Sequence, residues 1–295
     1  ILGPDAVLSD ESSRQFYGRD WLKDFTPSPS FVVLPSSTEQ VQQVVKLCND
    51  LSVALVPSGG RTGLSGGATA INGEVVLSLE RMRKILEVNR IDRTIRCESG
   101  VVLEKIQGEA ASHGLYFPVD FSTRGSSQIG GNLATNAGGI RVIRYGNIRD
   151  WVVGLTVIAG SGEILRLNGS LFKNNTGYDL RHLIVGSEGT LGVITEVTLR
   201  LTTPRKDTAR VLCGLRSNDD VLPLLAFCRD KIRDLSAFEF MEHRALQEVL
   251  HHRGLRDPLS QPYPAYILAE VELNHPGAAE QLTSAFGEAY EKRSE

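Results

Sequence analysis

The chain has 295 residues, long enough for one large or two medium domains, and its 41% hydrophobic share can fill a core. A formal net charge of −3 offers no basic field for nucleic acid. Cys48, Cys97, Cys213 and Cys228 form no C-x-x-C pair, which argues against a zinc ribbon or disulfide framework and fits a reducing compartment; no apolar run approaches the roughly 20 residues that span a bilayer.

Residues 1–29 are mixed and polar, with Trp21 and Phe25 as expected anchors and Pro27 and Pro29 as breakers. No signal peptide is visible, but the chain starts at Ile1 rather than Met, so a trimmed leader stays open. Ser30–Leu34 reads as a strand. Ser37 is placed to cap the next helix, with Gln40 three residues on as in a capping box. Val41, Val44, Val45 and Cys48 then recur at i, i+3, i+4, i+7, which is one helical face. Val53–Val56 is a second buried strand. Residues 30–57 therefore read β-α-β.

The strand runs into Pro57–Gly67, P-S-G-G-R-T-G-L-S-G-G, with Gly59, Gly60, Gly63, Gly66 and Gly67. Consecutive N–H groups in such a loop form a concave nest suited to phosphate or pyrophosphate. A Rossmann loop needs a helix directly after the glycines, and here residues 68–71 run into an Asn72-Gly73 turn. A P-loop needs Gly-Lys-Ser/Thr, and this loop has no lysine. What remains is a loop between two strands that binds phosphate with backbone alone, set against a glycine-rich surface loop with no ligand.

Val75–Leu79 reads as a strand, Arg81–Lys84 as a turn, and Ile85–Asn89 with Thr94–Glu98 as a hairpin. A helix follows over Leu103–His113, with Val102, Ile106 and Ala110 inward and Gly114 as its stop. His113 reads as a helix-terminal surface residue. The second glycine cluster spans Asp120–Gly139. Its small and amide side chains suit a large planar ligand, and Ile129, Leu133 and Ala137 at i, i+4, i+8 indicate a packed helical turn rather than a linker. Arg141 and Arg144 add two positive charges beside it.

Trp151–Ala159 and Glu163–Leu167 form a hairpin around Gly160–Gly162. Lys173–Leu180 is turn-like. Gly186–Ile194 is a third glycine segment feeding a strand over Val193–Leu201, and Thr202–Arg205 is a boundary. Beyond it, strands at Val211–Leu215, Leu235–Met241 and Ala265–Val271 alternate with helices. The first helix is capped by Asn218 and buries Val221, Leu224, Leu225 and Cys228; the others cover His243–His252 and Gly277–Lys292. His251 and His252 are adjacent, so they face apart and make a poor metal pair. No catalytic base and no metal-ligand set is found. The chain stops at Glu295 within a helical pattern, so a longer parent protein is expected.

Three glycine segments on one strand-rich domain point to a dinucleotide held by loops. Pro57–Gly67, Gly130–Gly139 and Ser187–Thr195 resemble the flavin-binding signatures of the vanillyl-alcohol oxidase / p-cresol methylhydroxylase family. Ile129–Gly139, Arg144–Gly146, Asn175–Asp179 and Ser236–Met241 resemble its D-2-hydroxyacid dehydrogenase branch, over roughly residues 15–275 in all. The resemblance implies an α+β fold. Residues 1–203 would be a two-subdomain FAD-binding domain (about 26–90 and 91–203), and 204–295 an incomplete α/β cap lacking the C-terminal catalytic segment.

The same resemblance implies the site. Backbone N–H groups of Ser58, Gly59, Gly60, Arg61, Thr62, Gly63 and Leu64 would wrap the FAD pyrophosphate, flanked by Pro57 and Gly66. Asp120, Ser122, Gly125 and Ser126, with Thr135, Asn136, Ala137, Gly138 and Gly139, would line the flavin and ribityl chain. Glu188, Gly189, Gly192, Val193 and Ile194 would hold the adenosine half. Pro118, Gly130, Gly131, Asn132, Tyr145 and Gly146 are further implied contacts. Some relatives link FAD through a histidine where this chain has Arg61, so non-covalent FAD is expected.

The activity implied is oxidation of a D-2-hydroxy acid of the 2-hydroxyglutarate, lactate or glycolate type by hydride transfer to flavin. An electron-accepting protein or quinone is the expected reoxidant, and a homodimer is among the expected partners. The branch keeps its catalytic histidine and metal ligands beyond the matched region, so a divalent metal such as zinc is expected only in the full-length protein. The location implied is the cytoplasm, or the mitochondrial matrix in a eukaryote. Two alternatives stand beside this: a flavin-binding module inactive without its missing segment or partner, and a same-family enzyme acting on an aldonolactone or ether-lipid precursor.

Overall fold

The computed structural model describes residues 2–291. The chain falls into two compact units. One holds the chain up to Ala137 together with Asn147–Pro204; the other holds Gly138–Gly146 and the chain from Arg205 onward. Nine residues counted with the first domain in the sequence reading thus belong to the second unit.

The first unit carries two sheets. Strands β1 (Val7–Leu8), β2 (Phe31–Val33), β3 (Leu55–Ser58) and β4 (Val75–Ser78) form one in the order β1-β2-β4-β3. Strands β2 and β3 run parallel to β4, while β1 is an antiparallel edge. Helix α1 (Glu11–Tyr17) and β1 replace what the sequence presents as a mixed polar stretch. Trp21 and Phe25 are not buried anchors; they are 68% and 46% exposed. Helix α2 (Thr38–Asp50) starts at Ser37, whose hydroxyl accepts from Gln40 N. The expected capping box is displaced by one residue, because Gln40 Oε1 accepts from Ser36 N at 2.8 Å. The predicted face of α2 is buried, with Val41 fully inaccessible.

The second sheet has the antiparallel order β5-β6-β9-β7-β8, from β5 (Ile85–Asn89), β6 (Thr94–Glu98), β7 (Val152–Ala159), β8 (Ile164–Leu167) and β9 (Gly192–Arg200). The residues buried on α2 share one core with Val33 and Leu77 of the first sheet and Ile158 and Val193 of the second. A buried Thr38–Thr195 hydroxyl bond of 3.0 Å crosses the same seam. Helices α3 (Leu103–Ser112) and α4 (Ile129–Ala134) pack Leu103, Ile106, Ile129 and Leu133 with Ile95, Cys97 and Leu199. The inward residue of the first turn of α3 is Leu103, since Val102 is the N-cap. Helix α4 ends before Ala137, whose N–H closes back on Asn132 O. Short α6 (Leu180–Ile184) precedes the third glycine segment.

In the second unit, β10 (Thr208–Leu215), β11 (Leu235–Glu242) and β12 (Ala265–Glu272) form an antiparallel sheet with β12 central. Alternation on β12 sorts its side chains. Ile267, Ala269 and Val271 join the core under α7 (Val221–Lys231) and α9 (Ala278–Glu291). On the other face, Tyr266 packs on Leu246 and Leu250 of α8 (His243–Arg253), and Glu270 and Glu272 meet short α5 (Val142–Tyr145) and its flanks. Ser217, not Asn218, accepts the capping bond, through a 3-10 turn that precedes α7. Val221 and Leu225 are only half-buried. Lys292, expected to close α9, lies outside the described residues. Among those residues no helix is long and apolar enough to cross a membrane.

Candidate functional site

Strand β3 ends at Ser58, and the chain turns at once into the first glycine segment. Gly60 backs onto residues 126–128: a Cβ there would sit 2.3 Å from Ser126 O and 2.9 Å from Ser127 Cα. No side chain fits that gap without moving backbone. The third segment also meets the first loop. Gly189 faces the Pro57 ring, and the Glu188 carboxylate lies 3.2 Å from where a Cβ on Gly67 would be. Glu188 N donates to Ala134 O at 2.9 Å and Gly186 N to Leu133 O at 3.0 Å, which ties the third segment to α4. The three glycine segments, far apart in sequence, are thus brought to one place.

Their polar groups divide into spent and unspent. Among the described residues, the N–H groups of Gly60–Gly67 donate no hydrogen bond within the chain. By contrast, the N–H groups of Thr135, Asn136 and Ala137 close the end of α4, and Gly130 N donates to Ser99 O at 2.8 Å. Among the described residues six buried side-chain polar atoms have no hydrogen-bond partner, and three of them, Ser58 Oγ, Ser99 Oγ and Gln128 Oε1, belong to or back onto these segments. Gln128 Oε1 lies 3.6 Å from the Cβ position of Gly59, and Ser99 Oγ 3.4 Å from that of Gly130. A buried orphan costs about 1–3 kcal/mol. Orphans gathered at one place mark where a ligand would satisfy them. Arg61, Asn136 and Glu188, one in each segment, have positive φ values of 54°, 47° and 51°. Such backbone conformations cost of order 1–3 kcal/mol each and gather at binding sites.

The Arg61 guanidinium lies 4.3 Å over the Phe16 ring and 4.7 Å over the Tyr17 ring. Burial lowers its pKa, opposed by the nearby Glu80 carboxylate. Tyr17 donates to Glu80 Oε1 at 2.5 Å, and burial, helped by Glu80, pushes its phenol up to about 12. Of the other implied contacts, Pro118, Asn132, Val193 and Ile194 are buried, so Val193 and Ile194 offer backbone only. Asp120 pairs with Arg124 at 3.2 Å, and Ser122, Gly125 and Ser126 are exposed beside it.

Gly138, Gly139, Tyr145 and Gly146 lie in the second unit. There the two arginines read as positive charges beside the second glycine cluster are paired. Buried Arg141 pairs with Glu270 at 2.8 Å, and Arg144 pairs with Glu272 at 3.1 Å and Asp234 at 3.0 Å. Arg210 also reaches Glu270, at 2.8 Å, and Ser236 Oγ donates to it at 2.9 Å. Burial pushes the Glu270 carboxyl up, but Arg141, Ser236 and Arg210 outweigh this and bring it down to about 2. Tyr145 donates to Glu272 at 2.6 Å; burial first, then Glu272, raises its phenol to about 12.

A groove of about 550 Å³ beside β5 and α3 is lined by Arg83, Lys84, Lys105 and His113 among others, and by none of the glycine-segment residues. His251 and His252 are exposed. No group of three or more His, Cys, Asp or Glu side chains among the described residues could hold a metal ion. Ser99, Gln128, Phe16 and Tyr17 carry no motif. The sequence cannot show that their polar atoms or rings converge on a distant loop.

Residues 29–168 match the family model described as FAD binding domain, and residues 204–294 match that of the C-terminal domain of FAD linked oxidases. Two curated bacterial proteins named D-2-hydroxyglutarate dehydrogenase align over nearly the whole chain. The one from Xanthomonas citri pv. viticola is 52% identical over 90% of this chain, and the one from Stutzerimonas stutzeri 48% over 99%. The chain belongs to the FAD-linked oxidase family. It spans 56% and 63% of the length of those two relatives. The Arabidopsis thaliana mitochondrial D-2-hydroxyglutarate dehydrogenase is 37% identical over 92% of the chain and 49% of its own length. Solved structures of alkyldihydroxyacetonephosphate synthase share the fold, with a TM-score of 0.80 at 20% identity over 99% of this chain and 57% of theirs.

In this FAD-linked oxidase chain the matched FAD-binding region contains the first two glycine segments. The third segment and the α1 residues that hold Arg61 lie outside it. The residues present fit FAD. The unspent N–H groups of the first loop suit a pyrophosphate, and the three buried orphans suit the hydroxyl, carbonyl and imide groups along a flavin nucleotide.

Proposed function

We propose that this chain is the FAD-holding part of a dehydrogenase that oxidises a D-2-hydroxy acid to the 2-oxo acid. The observation that carries the reading is the convergence of the three glycine segments on unspent N–H groups and buried orphan polar atoms. Residues 1–203 are read as the FAD-binding domain and 204–295 as part of the cap, with Gly138–Gly146 built into the second unit. Backbone N–H groups of Ser58–Leu64 hold the pyrophosphate. Ser58, Ser99 and Gln128 take polar groups of the nucleotide, Asp120–Ser126 and Thr135–Ala137 line the flavin side, and Glu188–Ile194 line the adenosine side.

When bound, FAD supplies the acceptor for the hydride leaving C2 of the hydroxy acid. The chain's own residues bind it, orient it and exclude water from it. Arg61 stands where a covalent link would need histidine, which supports non-covalent attachment. No residue of this chain is assigned as the base that takes the hydroxyl proton. The reading looks for that base, any divalent metal and the carboxylate-binding groups outside the residues of this chain. The substrate class is supported by the names of the bacterial and plant relatives. An electron-accepting protein or quinone and a cytoplasmic or mitochondrial-matrix location complete the reading; four free cysteines and the mitochondrial relatives accord with that location.

Anaerobic addition of D-2-hydroxyglutarate, D-lactate or glycolate to the FAD-loaded chain, and to a longer protein that extends it to the length of its curated relatives, tests this. Bleaching of the flavin absorbance by one of them in the longer protein is expected. A yellow longer protein that none of them bleaches refutes the substrate class. Bleaching confined to the longer protein makes this chain a flavin-binding module.

A further inference from the structure

The matched FAD-binding region begins at residue 29, and the sequence assigns no cofactor contact to the residues before it. The structure folds them around the phosphate loop. Trp21 N donates to Gly63 O at 3.1 Å, and Ala70 N to Gly18 O at 2.8 Å. Buried Asp20 carries Oδ2 3.5 Å from where a Cβ on Gly63 would be, and holds itself by accepting from Leu22 N at 2.9 Å. The Phe25 ring lies 3.3 Å from the Cβ position of Gly66. At the loop's other end, Arg61 is laid across Phe16 and Tyr17, and Tyr17 is itself fixed by Glu80 at 2.5 Å.

Arg61 is the one non-glycine residue of the loop with a positive φ, 54°. A side chain is disfavoured there unless it gains something that glycine would not. The gain on view is the two ring faces under its guanidinium. Two rings meeting one half-buried cation hold it more firmly than one exposed pair would. Such a grip fixes the peptide units on either side of residue 61, whose N–H groups are among those that donate no hydrogen bond within the chain.

We propose that Phe16–Phe25 form a clamp over the glycine loop, in which Phe16 and Tyr17 grip Arg61 and so set the loop in its FAD-binding conformation. Arg61 is then a positioning residue, and α1 acts on the cofactor site through it. The inference rests on the FAD assignment above.

The test is FAD titration into the apoprotein of the 295-residue chain, followed by flavin fluorescence, with apoprotein melting recorded for each variant. Arg61→Gly suits the positive φ and removes the guanidinium. The pair Phe16→Leu with Tyr17→Leu keeps bulk and removes the ring faces. Each is expected to weaken FAD binding about tenfold. The triple variant is expected to bind no more weakly than Arg61→Gly alone, because all three changes break one grip. If the ring variant melts early, Arg61→Gly decides alone. Binding of Arg61→Gly within twofold of wild type overturns the clamp, as does a triple variant whose losses multiply to about a hundredfold. Failure of the wild-type chain to bind FAD overturns the cofactor assignment itself. Retained wild-type binding with unaffected variants overturns the clamp alone.

Discussion

Glu270→Gln should destabilise the second unit selectively. The carboxylate is buried, with a side-chain exposure of 3%, and accepts from Arg141, Arg210 and Ser236. Its drop from the ordinary 4.5 to about 2 corresponds to about 3 kcal/mol of native-state preference for the ionised form. A depressed carboxyl contributes this stability above its unfolded value. The contribution drains away as pH falls from about 4.5 through about 2. The amide variant removes the carboxylate charge that Arg141 pairs with, and breaking a buried pair costs about 3–5 kcal/mol in comparable sites. Pulsed hydrogen exchange of the β12 peptides across a urea series reads this unit directly, since Trp21 and Trp151 both lie in the first. The expected result is a large loss at pH 7 that narrows as the pH is taken to 2. A variant within 1 kcal/mol of wild type at pH 7, or a gap that does not narrow in acid, refutes the ion-pair account.

Three further outcomes are expected. Gln128→Leu should raise apoprotein stability by about 1 kcal/mol, because it removes a buried orphan acceptor, while weakening FAD binding several-fold; apoprotein urea midpoints and FAD titration read both at once, and a stabilised variant with unchanged affinity would separate Gln128 from the cofactor. Gly60→Ala should cost about 1–3 kcal/mol and most of the FAD affinity, since its Cβ must displace the backbone at Ser126; equal melting temperatures and equal flavin content would show the loop to be roomier than the structure allows. Native thiol titration at pH 8 should be slow. Burial raises all four thiols, Cys213 to about 11, Cys228 to about 12, and Cys48 and Cys97 likewise upward, so four fast-reacting thiols would contradict the packing.

What could be read from the sequence follows its local physics. The helix periodicity of Val41, Val44, Val45 and Cys48 and the 85–98 hairpin need only neighbours in the chain, and both form as read. The absence of a helix after Gly67 was legible for the same reason. Errors fall where a distant partner decides. Asp120–Gly139 shows small residues, but only the fold shows that Gly130 has given its N–H to Ser99 and that Gln128 is left unsatisfied. Arg141 and Arg144 look like spare positive charge until Glu270, Glu272 and Asp234, about a hundred residues on, take them up. Trp21 and Phe25 look like core anchors. They are instead exposed residues of the stretch around the glycine loop, with Trp21 tied to it through backbone and Phe25 through its ring edge against Gly66. Phe16 and Tyr17 give no signal at all, because ring–guanidinium packing has no sequence period.

The most direct test of the central claim is FAD titration of the purified apoprotein, followed by acid precipitation of the complex. The account predicts saturable binding at one FAD per chain, with the flavin released to the supernatant. A chain that leaves flavin fluorescence unchanged at every FAD concentration contradicts the cofactor site, and flavin that stays in the pellet contradicts non-covalent attachment beside Arg61.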